Sequence, residues 1–203
     1  MEPVRIGVVG TGSVGSTLGR RWAAAGHVVR YGTRDPDRPD VVDLVGSIEG
    51  DVGAVAVDAA AAGADVLVLA VPADAVEPTL SGIEFSGVLV DPTNSYPEPG
   101  PEPGAERAAR LAPDARVVKA FNTVGWEVMA DPDLGGVAAT MPLAGDDADA
   151  KSLVAGLARD LGFEPLDVGD RSAAVHLENL ARLWIHLAVS TGDREFAFVR
   201  RAR

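Results

Sequence analysis

Residues 4–19 read VRIGVVGTGSVGSTLG. The first part, VRIGVVG, is a compact apolar run rich in β-branched residues, the pattern of a strand buried on both faces. The second part opens a helical segment, GSTLGRRWAAAG (15–26), with Leu18, Trp22 and Ala25 at helical spacing and Gly26 as its stop signal. At the junction stand Gly10, Thr11, Gly12, Ser13, Val14 and Gly15, a Gly-x-Gly-x-x-Gly set between strand and helix. Such a turn can be structural only, but in this context each glycine has a physical purpose. Gly10 makes the tight turn, Gly12 lets backbone approach a diphosphate, and Gly15 lets helix pack closely on strand. The helix N-terminus brings free N–H groups and a positive partial charge to the same place. Thr11 and Ser13 add hydroxyl donors.

Working outward, strand-like and helix-like runs alternate, which predicts a mainly parallel α/β sheet. HVVRYG (27–32), VGAVAVD (52–58), DVLVLAVP (65–72), GVLVDPT (87–93) and ARVVKAFN (115–122) read as strands, and GVAATMPLAGD (136–146) as one more. Helical stretches fall around 40–48, 59–63, 73–81 and 104–112. DDADAKSLVAGLARDLG (146–162) is the clearest amphipathic helix, with Leu153, Leu157 and Leu161 recurring every four residues. FEPLDVG follows as a short strand, and 172–190 as a long helix carrying Leu177, Leu180, Leu183, Trp184 and Leu187. The proline-rich stretch NSYPEPGPEPGAE (94–106) can be neither helix nor central strand. It follows a strand's carboxyl end, where open parallel sheets bind ligands.

Composition narrows the function. The 203 residues suffice for one sizeable domain, or one with a small appendage, and 47% are hydrophobic. No run of 18 uncharged apolar residues appears, and the N-terminus lacks the pattern of a signal peptide. The expectation is a soluble, cytoplasmic protein without a membrane partner. There is no cysteine and there are three histidines, His27, His176 and His186, with no two at metal-ligand spacing. No metal site and no thiolate chemistry are expected. His27, just after Gly26, reads as a surface residue. The net charge of −12 opposes a phosphate backbone, so nucleic acid is not an expected partner. By the same token, any anionic ligand needs a local positive site.

That requirement bears on YGTRDP (31–36). A site selective for NAD puts Asp or Glu near the end of the second strand, to hold the adenosine ribose. Here Thr33 offers a hydroxyl and Arg34 a planar guanidinium suited to the 2′-phosphate of NADP. Arg38 is within reach of the same phosphate. Asp35 and Asp37 are acids that could pair with Arg34; Asp35, however, precedes Pro36, an N-cap followed by the first helical residue, which would turn its carboxylate toward the next helix start. Ala70, Val71 and Pro72 end the fourth strand, Pro92, Thr93 and Asn94 the fifth, and Phe121, Asn122, Thr123 and Val124 the sixth. These ends should converge at the carboxyl edge. Small apolar Ala70, Val71 and Pro72 suit the adenosine and ribose groove. Thr93, Asn94 and Asn122 are candidate partners for a carboxamide or a substrate, and Phe121 a candidate wall for a planar ring. Residues in such places also cap turns.

Taken in order along the chain, IGVVGTGSVGSTLGRRWAAAGHVV, YGTRDP, ADVLVLAVP, VDPTN, ARVVKAFNTVG, AGDDADAK, LGFEPLDVG and LARLWIHLA resemble the NADP oxidoreductases that depend on the deazaflavin coenzyme F420. The resemblance covers nearly the whole chain. It implies a doubly wound Rossmann-type domain (1–145), a small C-terminal α/β extension (146–203), and a homodimer. The implied activity is hydride transfer between NADP(H) and the deazaflavin C5. The implied contacts are Gly10 through Gly15, Thr33, Arg34, Arg38, Ala70, Val71, Pro72 and Asn94 for NADP(H). For the deazaflavin they are Pro92, Thr93, Phe121, Asn122, Thr123 and Val124. Hydride transfer between two cofactors needs no nucleophile, so no catalytic acid or base is assigned. Two alternatives remain: reduction of a small imine or carbonyl by NADPH, with Tyr96 as proton donor, and NADP sensing without turnover.

Overall fold

Eight strands lie in one sheet in the order β3-β2-β1-β4-β5-β6-β7-β8 in the computed structural model, which describes residues 2–201. The strands are β1 (Arg5–Val9), β2 (Val28–Thr33), β3 (Val52–Ala56), β4 (Val66–Leu69), β5 (Val88–Asp91), β6 (Arg116–Lys119), β7 (Thr140–Gly145) and β8 (Glu164–Asp167). The helices between and after them are α1 (Ser13–Ala24), α2 (Pro39–Gly46), α3 (Val57–Ala62), α4 (Val76–Leu80), α5 (Gly104–Leu111), α6 (Trp126–Ala130), α7 (Ala148–Asp160) and α8 (Ala174–Thr191). All pairings from β3 to β6 are parallel, β6 pairs antiparallel with β7, and β7 is parallel to β8. The order 3-2-1-4-5-6 is the doubly wound Rossmann-type arrangement, with its switch point where β1 lies between β2 and β4.

Both faces of the central strands are covered, as their continuous apolar runs require. One layer packs Leu18 and Trp22 of α1, Val128 and Met129 of α6, and Val154 and Leu157 of α7 against the sheet. The opposite layer holds Ala61 of α3, Val76 and Leu80 of α4, and Ala105 and Ala108 of α5. The C-terminal segment continues the same sheet: β8 bonds to β7, and α7 is N-capped by Asp147, whose carboxylate accepts the Ala150 N–H at 2.7 Å. Among the described residues no helix is long and apolar enough to cross a membrane.

The structure departs from the sequence reading in local ways. The run at 52–58 is divided, because Val57 begins α3. Asp35 and Pro36 do not start a helix: α2 begins at Pro39 with Arg38 as N-cap, and the Asp35 carboxylate accepts the Asp37 N–H inside the preceding turn. Leu183 is exposed, on the outer side of α8. His27 is buried. Its Nδ1 accepts the Val4 N–H at 3.1 Å, and its Nε2 faces Asp160 Oδ2 at 3.1 Å. Its second partner is 133 residues away along the chain, so neighbouring sequence gives no sign of it.

Candidate functional site

The glycine turn lies at the switch point. Gly10 has φ +104, and a Cβ there would sit 2.3 Å from the Ala70 carbonyl oxygen, so neither the conformation nor the space admits a side chain. A Cβ on Gly15 would sit 2.1 Å from the Gly10 carbonyl oxygen and 3.0 Å from the Ala70 methyl, which is the close approach of helix to strand. Gly12 differs from both. It is the N-cap of α1 with φ −70 and ψ −177, and a Cβ there would meet nothing within 4 Å. The protein itself therefore does not require glycine at position 12, and the volume before it is open. The Gly12 carbonyl accepts the Ser16 N–H at 2.8 Å. The N–H groups of the first turn, through Gly15, have no partner in the helix. No acidic side chain occupies that turn.

The end of β2 adjoins this turn, since the Gly10 N–H donates to the Gly32 carbonyl at 3.1 Å. Thr33 and Arg34 follow. The Thr33 hydroxyl accepts the Asp35 N–H at 3.4 Å. Arg34 is exposed, and no arginine ion pair among the described residues includes it. Of the acids that follow, Asp35 accepts the Asp37 N–H in its own turn and Asp40 pairs with Arg38. That second pair is bidentate, 2.5 Å from Nε to Oδ1 and 2.8 Å from Nη2 to Oδ2, and it holds the Asp40 carboxyl below its ordinary range. Among the described residues, Arg34 beside the glycine turn is in no ion pair, and Arg38 is paired with Asp40.

At the ends of β5 and β6 two asparagines bridge the strands. Asn94 Nδ2 donates to the Asn122 carbonyl at 2.7 Å, and Asn122 Nδ2 donates to Asn94 Oδ1 at 3.0 Å. Asn122 Oδ1 and the Thr123 hydroxyl are buried without a partner. Two sequence-predicted contacts turn inward. The Thr93 hydroxyl donates to Asp91 Oδ1 at 2.6 Å, and Thr93 is buried. The Phe121 ring is in the core, edge-on to Trp22 (5.5 Å between centroids) and to Phe163 (6.3 Å). It is not a wall of the cleft. Phe121 has φ +59, and this left-handed turn throws the ring onto the α1 and α6 face of the sheet.

Two recesses border these strand ends. An apolar cavity of about 310 Å³ lies between β7, β8, α8 and the C-terminal tail, lined by Thr123, Val124, Pro142, Leu166, Leu177 and Phe198 among others. A polar cleft of about 490 Å³ lies between the turn at 73–74 and the loop at 94–98, with Asn94, Tyr96 and Arg107 in its wall. Val71 and Pro72 stand between that cleft and the glycine turn, with the Val71 Cγ1 3.3 Å from where a Gly10 Cβ would sit. Among the described residues no group of three or more His, Asp or Glu is placed to hold a metal.

Sequence reasoning passed over Lys119. It is fully buried, with its Nζ 2.9 Å from Asp91 Oδ2, 3.0 Å from Glu178 Oε1 and 2.5 Å from the Thr93 carbonyl oxygen. The signal was available: an acid and a base each end an otherwise apolar strand, VLVD and RVVK, and the two pair in register.

A family model described as NADP oxidoreductase, coenzyme F420-dependent, matches residues 5–95. The chain is 31% identical to the F420-dependent NADP reductase of Methanothermobacter thermautotrophicus, over 92% of this chain and 90% of that protein. It is 30% identical to metalloreductase STEAP3 of Rattus norvegicus, over 87% of this chain and 36% of that protein. It spans well under half the length of the metalloreductases it matches. A crystal structure described as a putative F420-dependent NADP reductase from Arthrobacter sp. FB24 superposes with a TM-score of 0.84 at 31% identity, covering 98% of this chain and all of that one.

Proposed function

Because the chain belongs to the family of coenzyme F420-dependent NADP oxidoreductases, we propose that it moves a hydride between NADP(H) and the deazaflavin of coenzyme F420. The observation that carries the cofactor half of this reading is the pairing of a bare Gly12 with an unpaired Arg34. Gly12 leaves the N–H groups of α1's first turn open to a diphosphate, and Arg34 stands free at the end of the adjoining strand. A dinucleotide laid along the edge meets Gly10, Thr11, Gly12, Ser13, Val14 and Gly15 with its diphosphate. Its 2′-phosphate meets Thr33 and Arg34. Its ribose and ring run past Ala70, Val71 and Pro72 to Asn94. We place this unit in residues 1–145, with 146–203 as the extension that supplies the outer wall of the acceptor site.

Neighbouring strands are about 5 Å apart, so β6 and β7 stand about 15 and 20 Å from β1 across the sheet. The far end of an extended dinucleotide therefore comes to the loops at 92–94 and 122–124. The apolar cavity behind Thr123 and Val124 suits a flat, largely apolar acceptor ring, with the unpartnered Thr123 hydroxyl as a polar anchor. The bound cofactors supply the hydride and the carbon that receives it. The chain's own residues align the two rings and exclude water, which is what such a reaction asks of a protein. Pro92 and Thr93 shape the turn, and Asn122 with Asn94 fixes the spacing of the two loops. The ring of Phe121 supports this edge from the core.

The test is direct: mix the protein with NADPH and coenzyme F420 and follow deazaflavin absorbance. Bleaching coupled to NADPH oxidation is the expected result, and no exchange at any salt concentration refutes the acceptor. One observation favours a second reading. The exposed Tyr96 lines the polar cleft beside Asn94, placed to give a proton to a reduced imine or carbonyl. NADPH oxidation by such a compound, lost in Tyr96→Phe, would select it. We also propose that the active species is a homodimer, which sedimentation of the protein with NADPH would establish.

A further inference from the structure

Lys119 is the ammonium of a buried network. Asp91 Oδ2 and the Thr93 carbonyl accept from it, and Glu178 Oε1 forms an ion pair with it at 3.0 Å. Asp91 Oδ1 accepts both the Thr93 N–H (2.9 Å) and the Thr93 hydroxyl (2.6 Å). Glu178 Oε1 also accepts the Gly104 N–H at 2.7 Å. Gly104 closes the network from above: a Cβ there would sit 2.6 Å from Asp91 Oδ2 and 3.1 Å from Lys119 Nζ. Five pieces of the protein thus meet at one nitrogen: β5, β6, the turn after β5, the start of α5 and the second turn of α8.

Stability alone does not account for it. Three charged groups lose their hydration here, and well-packed apolar residues commonly do as well in such a place. What the network does and an apolar cluster could not do is hold every polar group of Thr93, its N–H, its carbonyl and its hydroxyl. Thr93 immediately precedes Asn94, whose amide spans the gap to Asn122 at the cleft. Glu178 in turn follows Leu177, which lines the apolar cavity. We infer that Lys119 is a positioning residue: through Thr93 it sets Asn94 against the nicotinamide, and through Glu178 it ties that turn to the wall of the acceptor cavity. This inference rests on the proposal that NADP(H) lies along this edge with its nicotinamide at the 92–94 turn.

The test uses binding, so it does not depend on the acceptor. Lys119→Met alone would leave two buried carboxylates unpaired and endanger the fold. The combined variant Asp91→Asn, Lys119→Met, Glu178→Gln removes the charges and keeps acceptors for Thr93 and Gly104. NADPH is compared with adenosine 2′,5′-bisphosphate, which carries the 2′-phosphate and no nicotinamide. The expected result is NADPH affinity at least about tenfold weaker, with the bisphosphate within about twofold of wild type. A parallel loss for both ligands, or no loss for NADPH, overturns the inference. So does equal affinity of wild type for the two, since the turn then holds no ring. Wild-type protein that binds neither ligand refutes the NADP reading itself. Should the triple variant fail to fold, Thr93→Val removes only the hydroxyl tie to Asp91. The same selective loss, smaller in size, is expected there, and a parallel loss or none counts equally against the inference.

Discussion

Gly12→Ala separates the two reasons a glycine can occupy this turn. The added methyl meets no protein atom within 4 Å, and φ −70 with ψ −177 is open to alanine. Alanine is a poorer N-cap than glycine, by no more than about 1 kcal/mol. Loss of glycine's freedom in the unfolded chain returns about 0.4–1 kcal/mol. The two nearly cancel, so the melting temperature should move by no more than about 4 °C. Binding is another matter. The methyl projects into the volume where a diphosphate would meet the first-turn N–H groups, and each hydrogen bond to a charged group is worth about 1.5–3 kcal/mol. Losing two such bonds weakens NADPH by on the order of 100-fold to 10,000-fold. NADH, which shares the diphosphate, should lose as much. Thermal melting and a titration followed by nicotinamide fluorescence measure the two effects on one sample. A folded Gly12→Ala protein that binds NADPH like wild type would refute the placement of the diphosphate.

Further outcomes follow from particular residues. Arg34→Ala should weaken NADPH at least about tenfold and hardly change NADH, whereas Arg38→Ala, whose guanidinium already belongs to Asp40, should change either by no more than about twofold. Equal losses for both nucleotides in Arg34→Ala would remove the 2′-phosphate assignment. Tyr31 is buried with its hydroxyl donating to the Ser16 carbonyl at 3.1 Å, and burial pushes its pKa up to about 12. A raised tyrosine favours folding below its unfolded pKa of about 10, so alkaline titration should cost about 2–3 kcal/mol between pH 10 and 12. Denaturant melts of Tyr31→Phe across that window should lack this loss. Phe121→Ala should destabilise the fold by about 3–5 kcal/mol, as expected for a buried ring and not for a cleft residue; urea melts measure it.

The parts of the site that could be read from sequence are those made by backbone and by local spacing. Gly10, Gly12 and Gly15 announce a turn because their requirement is geometric and confined to six residues. Arg34's place at the end of the second strand is likewise counted from that turn. The parts that misled depend on which way a side chain turns at a strand end. In β6, Val117 and Val118 face opposite layers, and the alternation would put Phe121 on the side of Val117. The left-handed backbone at Phe121 breaks that alternation and places the ring in the layer of Val118 and Ala120. The Thr93 hydroxyl, a ligand donor by its place at a strand end, is taken by Asp91 two residues earlier, and its carbonyl by Lys119 of the neighbouring strand. Asp35 looked like a helix cap because the Asp-Pro signal precedes a helix, three residues too early.

The charge balance bears on Arg34 as well. With 30 acids against 18 basic residues, an arginine at the surface of this chain has carboxylates to choose from. Arg5, Arg30, Arg38, Arg110 and Arg194 each take one. Arg34 is in no ion pair among the described residues, while Asp35 accepts the Asp37 N–H in its own turn and Asp40 chelates Arg38. At physiological salt the field of distant charges fades within about 8 Å, so the net −12 matters less to a bound phosphate than these few residues do. The Arg38–Asp40 pair occupies the Asp40 carboxylate and the Arg38 guanidinium together. Asp40→Asn would release Arg38 toward the phosphate and should tighten NADPH relative to NADH, the opposite sign from Arg34→Ala.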